Sequence, residues 1–222
     1  MIIQSGPFAG LRKAYYRTLY VDVPWKYVTW SGKGLGKSPD NHYDTMTLDE
    51  IKALPVRDLC HPEGCIMHFW VIDSHAEIAL DVIKAWGFKY KTVGFYWGKV
   101  SAKQRDTYPI GTGFWTRANP EHAYETYLAD DDQDMERAFL ATWRKPKRVA
   151  KDVRRLILAP RREHSRKPDE IPVEIVRLTH GPYLELFGRQ SRDGWTVWGK
   201  QNQLFDDPLD VAAMEDEIRS VV

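Results

Sequence analysis

The stretch CIMHFWVIDSHAEIALDVIKAWGFKYKTVGFYWGK, residues 65–99, holds three changes of hydrophobic rhythm in a row. Cys65 to Val71 is an unbroken apolar run of strand length, and a strand apolar on both sides is one buried on both faces. Ser74 followed three residues later by Glu77 has the spacing of a capping box, which predicts a helix start there. Ile78, Ala79, Val82, Ile83, Ala85 and Trp86 then recur at helical spacing, and Gly87 supplies the stop. From Phe88 to Lys99 the pattern returns to strand, rich in aromatic and β-branched residues. Strand, helix and strand in so short a span read as a β-α-β unit, the building block of a parallel sheet.

Working outward, the same alternation continues on both sides. Upstream, Thr18–Val21 reads as a short strand, and TLDEIKAL (47–54) as a helix with Thr47 and Glu50 as its capping box. Downstream, a loop rich in Gly, Thr, Asn and Pro (101–120) precedes strand-like HAYETYLA (122–129) and VRRLILAP (153–160). A helix is predicted in PDEIPVEIVRLTH (168–180), ended by Gly181, followed by strands in PYLELFG (182–188) and WTVWGK (195–200). The sum is an α/β fold with a doubly wound, mainly parallel sheet, in one domain over 1–205. Residues 206–222 are expected to be a C-terminal extension, compatible with a short helix. Ligands of such sheets collect outside the carboxyl ends of the strands, where Asp22, Ser165 to Lys167 and Arg189 fall.

Composition narrows the classes. A chain of 222 residues with 43% hydrophobic content can bury a substantial core. Two cysteines, Cys60 and Cys65, make no disulfide framework, so a reducing cytoplasm is expected. CHPEGC (60–65) falls short of a closed tetrahedral metal set, and no metal is expected. GKGLGK (32–37) lacks the Lys-Ser/Thr ending of a phosphate loop and reads as a mobile substrate loop. The start MIIQSGPFAGLRKAYY has no secretory leader pattern, and no apolar run is long enough to span a bilayer, so no membrane partner is expected.

Charge is distributed unevenly. From Arg144 to Lys167 there are eleven Lys/Arg (144, 145, 147, 148, 151, 154, 155, 161, 162, 166 and 167) against Asp152 and Glu163. That is the footprint expected of a phosphate-binding surface, although a charge run can equally be a solvated face.

The chemistry concentrates in YVDVPWKY (20–27), where a strand ends on the lone acid Asp22 and turns through Val23 and Pro24 into Trp25. Adenine's exocyclic amine is a poor nucleophile because its lone pair is delocalised into the ring. An enzyme that alkylates it must accept the amine's hydrogens and hold the base while the nitrogen pyramidalises. A carboxylate with a turn carbonyl can do the first, and an aromatic face the second. A strand, a proline turn and a core tryptophan would produce the same four residues without any chemistry.

Five further motifs accompany DVPW (22–25) in order: HYDTMT (42–47), GTGFWTRANPEH (111–122), HSRKPDE (164–170), LELFGR (184–189) and GWTVWGKQ (194–201). Together, over roughly residues 16–204, they resemble the METTL-type adenine-N6 methyltransferases, a family that includes the messenger-RNA adenosine enzyme and bacterial and phage DNA enzymes. The resemblance implies a Rossmann-like class I methyltransferase fold and S-adenosylmethionine as cofactor. It implies that Asp22 binds the target amine near the methionine ammonium, Pro24 makes the turn rigid and Trp25 walls the base, with Val23 keeping the turn carbonyl. Tyr43, Trp115 and Glu121 match the acceptor side, Lys167 the methionine carboxylate, and Arg189, Lys200 and Gln201 further cofactor contacts. Three positions depart from the family pattern. Val23 replaces a proline, though a residue before proline is already pushed toward extended geometry. Lys200 and Arg117 each stand where the messenger-RNA enzyme has asparagine.

The expected function is therefore N6-adenine methylation of nucleic acid, by direct in-line transfer to a flipped base. DNA is preferred over RNA because the compact chain fits the small bacterial and phage relatives, with the Arg144–Lys167 segment on the phosphate backbone. The alternatives are an RNA adenine methyltransferase, a catalytically silent nucleic-acid binder and a small-molecule or nucleoside methyltransferase. Either a monomer or a homodimer is compatible with this reading.

Overall fold

The computed structural model describes residues 1–26, 45–100, 135–162 and 166–206. In chain order these contain β1 (Thr18–Val21), α1 (Leu48–Ala53), β2 (Gly64–Val71), α2 (Ala76–Ala85), β3 (Lys89–Val100), β4 (Met135–Arg144), β5 (Leu156–Pro160), α3 (Glu170–Leu178), β6 (Tyr183–Leu186) and β7 (Trp195–Trp198). One seven-stranded sheet has the order β5-β3-β4-β2-β1-β6-β7. β4 pairs antiparallel with both neighbours, and every other pairing is parallel. The carboxyl ends of the six parallel strands and the amino end of β4 thus form one edge of the sheet.

Each face has its own core. Alternate residues of β1 and β2, such as Leu19, Val21, Met67 and Phe69, pack with Ile51 of α1 and Val82 and Ile83 of α2. The capping box expected of Thr47 and Glu50 is present at α1. Trp86, just past α2, is buried there and its indole N–H donates to the Ile51 carbonyl at 2.9 Å, tying the two helices together. The opposite face carries Tyr20, Trp70, Phe95, Trp97 and Ala138 against Ile171 and Ile175 of α3. Full burial of a large apolar side chain stabilises by about 1.5–3 kcal/mol. Helices cover both faces, as the doubly wound expectation requires.

Three expectations need correcting or placing. Ser74 does not cap α2: a 3-10 turn over Asp73–His75 comes first, the helix starts at Ala76, and the Ser74 hydroxyl pairs with His75 Nδ1 at 3.0 Å instead. β4 is not foreshadowed by the pattern at all, and VRRLILAP becomes strand only from Leu156. The strand expected at 122–129 and the extension beyond Asp206 lie outside the described residues. Gly87 does end α2, at φ 79°, a left-handed conformation favoured by glycine. Among the described residues no helix is long and apolar enough to cross a membrane, and no three His, Cys, Asp or Glu are grouped to hold a metal ion.

His68, central in β2, is fully buried against Phe95 with centroids 5.2 Å apart, and neither ring nitrogen has a hydrogen-bond partner among the described residues. Burial pushes its pKa down to about 3. The unfolded chain takes up a proton at this residue below pH 6.5 and the folded one does not, so stability falls as pH drops from 6.5 toward 3. At 1.36 kcal/mol per pH unit, between pH 7 and pH 5 the protein should lose about 2 kcal/mol more than a His68→Leu variant, measured by urea unfolding. Equal losses would mean that His68 titrates normally in the fold.

Candidate active site

Asp22 is the first residue beyond β1, flanked by β2 and β6, and its amide lies 3.5 Å from the Leu186 carbonyl. The chain then turns tightly. The Trp25 amide donates to the Val23 carbonyl at 2.9 Å, and the Pro24 carbonyl accepts from Met46 at 2.9 Å. Val23 and Trp25 are buried, the indole lying against Phe69 and His75 with centroids 6.0 and 5.4 Å away. Trp25 is 5% exposed, so among the described residues it is packed into the core as well as standing beside Asp22.

Lys167, on the connection from β5 to α3, comes back over the same edge. Its Nζ is 2.9 Å from Asp22 Oδ2 and 3.2 Å from Glu136 Oε2, and Lys99 Nζ is 2.9 Å from Glu136 Oε1. Charges therefore alternate along a ladder of Asp22, Lys167, Glu136 and Lys99. Its inner members are nearly buried, with side chains 5–13% exposed, while Asp22 is 31% exposed and forms the accessible end. Burial alone would raise the Glu136 pKa, but Lys167 and Lys99 outweigh it and hold the carboxyl at about 2. Burial opposes the Lys167 charge in the same way, and Asp22 and Glu136 outweigh it, so the ammonium is held above its usual range. Below the ladder, the Trp70 ring centre is 5.4 Å from Lys167 Nζ. The buried Tyr20 hydroxyl and Trp70 indole N–H lack hydrogen-bond partners among the described residues.

A second group of sequence candidates lies beyond β6 and β7. Arg189 follows Gly188, and its guanidinium stacks on Phe205 at 4.9 Å, with Arg166 at 5.0 Å from the same ring. The Arg189 carbonyl accepts from the Phe205 amide at 3.0 Å. Backbones run very close here: a Cβ on Gly199 would sit 2.5 Å from the Gly188 carbonyl oxygen, and one on Gly188 would sit 2.5 Å from Val197. Lys200 is exposed and Gln201 half-buried directly after this crossing. Asp169, at the start of α3, receives Arg162 at 2.6 Å and Gln190 at 3.1 Å, which fastens α3 to the loop after β6.

Of the predicted site residues, Asp22, Val23, Pro24, Trp25 and Lys167 share one locality, while along the same edge Arg189 lies past the neighbouring β6, and Lys200 and Gln201 past β7, two strands from β1. Tyr43, Trp115, Glu121 and Ser165 lie outside the described residues. Sequence reasoning missed Glu136 and Lys99. Their signal was parity: Glu136 shares a face with Ala138 in β4, and Lys99 with Phe95 and Trp97 in β3.

This edge offers an anion and a cation 2.9 Å apart at Asp22 and Lys167, beside a backbone crossing with no side chain in it. That set fits an amino acid's ammonium and carboxylate, and so fits S-adenosylmethionine.

Comparison with known proteins gives a consistent result. The MT-A70 family model matches residues 16–201. The Type II methyltransferase M.MunI of Mycoplasma sp is 26% identical over 212 residues, covering 86% of this chain and 80% of that protein. The Drosophila melanogaster N(6)-adenosine-methyltransferase MT-A70-like protein is 30% identical over 162 residues, 72% of this chain but 24% of that protein. The human N(6)-adenine-specific methyltransferase METTL4 is 22% identical over 200 residues, 88% of this chain and 39% of that protein. The chain thus spans most of the first relative and well under half of the other two.

Proposed function

The chain belongs to the MT-A70 family of N6-adenine methyltransferases, which use S-adenosylmethionine as methyl donor, and on that premise we propose that it methylates adenine in DNA. The observation that carries the reading is Asp22 at the end of β1 with Lys167 2.9 Å away.

Bound S-adenosylmethionine supplies a methyl group activated by its sulfonium. The remaining work falls to the chain. Lys167 would take the cofactor's carboxylate and Asp22 its ammonium, while Arg189, Lys200 and Gln201 would hold the nucleoside part. An ionised carboxylate has about four lone-pair directions and Lys167 occupies one, so Asp22 can also accept hydrogens of the adenine amine. The Val23 carbonyl, which has a second lone pair beside the one given to Trp25, is the other acceptor. Accepting both amine hydrogens draws the nitrogen lone pair out of conjugation, and the proton that the nitrogen sheds once it carries the methyl group leaves by way of Asp22 to water. Glu136 keeps Lys167 charged and in place, and Lys99 holds Glu136 from its other side. Trp25, with Tyr43, Trp115 and Glu121, is assigned to the base.

The choice of DNA rests on the match to a Type II methyltransferase over 80% of that protein's length, against 24% for a relative named an adenosine methyltransferase. The test is transfer of labelled methyl groups from S-adenosylmethionine to matched DNA and RNA oligonucleotides, with the product nucleoside identified. Label in N6-methyladenine of DNA is expected. Faster labelling of RNA would reassign the substrate. Oligonucleotide binding without transfer would mark a silent relative, and labelling of free nucleosides alone would remove nucleic acid from the reading.

A further inference from the structure

β5 divides the basic run in two. Because β4 is antiparallel to β2, Arg144 lies opposite Gly64, at the amino edge of the sheet, while Arg137 lies opposite Val71 at the carboxyl edge near Asp22. Seven strand steps separate the two edges, roughly 23 Å. From Arg144 the chain passes Lys145, Lys147 and Arg148 along the amino edge, where Arg148 pairs with Thr179 beyond the end of α3. It then carries Lys151, Arg154 and Arg155 back up to Leu156, which through Tyr96 is level with Arg137 at the carboxyl edge, and β5 runs on from there to Pro160 beside Val100. All seven of these cations are exposed. Asp152, inside the run, is paired with Arg177 at 3.1 Å, and Glu63, near Lys147, is paired with Arg17 at 2.6 Å.

The amino-edge corner is also built to hold its charge in place. Arg144 has φ 59°, uncommon for a residue with a side chain. Its guanidinium donates to the Pro62 carbonyl at 2.7 Å and lies 4.8 Å from the Trp143 ring, on which Arg57 also stacks at 3.8 Å. A Cβ on Gly64 would meet the Pro146 nitrogen at 2.9 Å, so the corner closes tightly around a glycine. A merely solvated charge run has no need of two guanidinium groups stacked on one indole, one of them hydrogen-bonded in a strained turn.

We propose that this run is a phosphate track: nucleic acid whose target base enters the Asp22 site continues past the start of β5 and down the 149–155 segment to a second anchor at Arg144, Lys145, Lys147 and Arg148, remote from the reacting base. The proposal rests on the nucleic-acid reading above. A track of this length runs beside roughly seven base-pair steps, so the anchor is reached only by substrates that extend well past the modified base. It acts on affinity and leaves the chemistry alone, since phosphate contacts position without reading sequence.

The experiment combines Arg144→Gln, Lys145→Gln, Lys147→Gln and Arg148→Gln. A companion variant keeps Arg144 and changes the other three, in case the corner fails to fold. Binding is titrated against salt for duplexes of roughly 8 and 30 base pairs, beside turnover on saturating short duplex. The expected result is at least about tenfold weaker binding of the long duplex and a salt slope flattened by about 0.9 for each phosphate no longer neutralised, with the short duplex bound and methylated as by wild type. Wild-type affinity and slope of both variants for the long duplex would overturn the track, provided wild type binds and methylates DNA. Wild type that does neither would overturn the track together with the function it rests on.

Discussion

An Asp22→Ala protein should fold as wild type does and transfer methyl groups at least about a hundredfold more slowly, the scale seen when one preorganised polar group is removed from a reacting centre. The fold should survive because Asp22 lies past the end of β1, is 31% exposed and contributes no core volume. Its loss leaves Lys167 still paired with Glu136 at 3.2 Å, so no buried charge is stranded. Turnover should collapse because nothing else described at the end of β1 is an anionic acceptor for the amine. Asp22→Asn sharpens the test: it keeps the shape but turns one oxygen into a donor facing a donor. Circular dichroism with a single-turnover assay on an adenine-containing duplex measures both quantities. Turnover near wild type in a folded Asp22→Ala protein would remove the site from this edge of the sheet.

Why Asp22 could be read from sequence and Glu136 could not follows from where their partners lie. The strand ending at Val21, the capped helix after Thr47 and the unit from Cys65 to Lys99 are set by neighbours a few residues apart, and local pattern reports them. β4 is different. MERAFLATWR carries Glu136, Arg137 and Arg144, and its charges lie between an acidic and a basic run, so it reads as a solvated stretch. Those charges are satisfied only at long range, Glu136 by Lys99 and Lys167, and Arg137 by Asp73 at 2.9 Å. An antiparallel strand inserted between β2 and β3 also breaks the rhythm that makes parallel strands legible. The Ser74 and Glu77 spacing misleads for the opposite reason: a local motif is present, but a 3-10 turn has already used its residues. Lys167 is legible through its resemblance to a family motif, and pattern alone gives no reason to bring it to Asp22.

Removing Lys167 should do more damage than removing Asp22, in two separable ways. Lys167→Ala leaves Asp22 without its cation and Glu136 with Lys99 alone, and breaking a buried pair in this way costs about 3–5 kcal/mol, toward the low end here because Asp22 is partly exposed. The loss depends on pH in a defined direction. Glu136 titrates at about 2 in the fold and near 4.5 when unfolded, so its contribution is complete above 4.5 and disappears as pH falls toward 2. Lys167 is raised above 10.5, so its contribution is complete below that value and is lost only at higher pH. Wild type and variant should therefore differ in stability by a constant amount between about pH 5 and 10 and converge below it, which urea unfolding at several pH values will show. Under conditions where the variant is folded, its affinity for S-adenosylmethionine should fall by a further amount of about 1.5–3 kcal/mol, the value of a hydrogen bond to a charged group. Lys167→Arg keeps the charge but not the compact ammonium, so it should recover much of the stability and less of the binding. Calorimetry that finds wild-type cofactor affinity in folded Lys167→Ala would leave the ladder as a purely structural device and return the carboxylate-binding role to another cation on this edge.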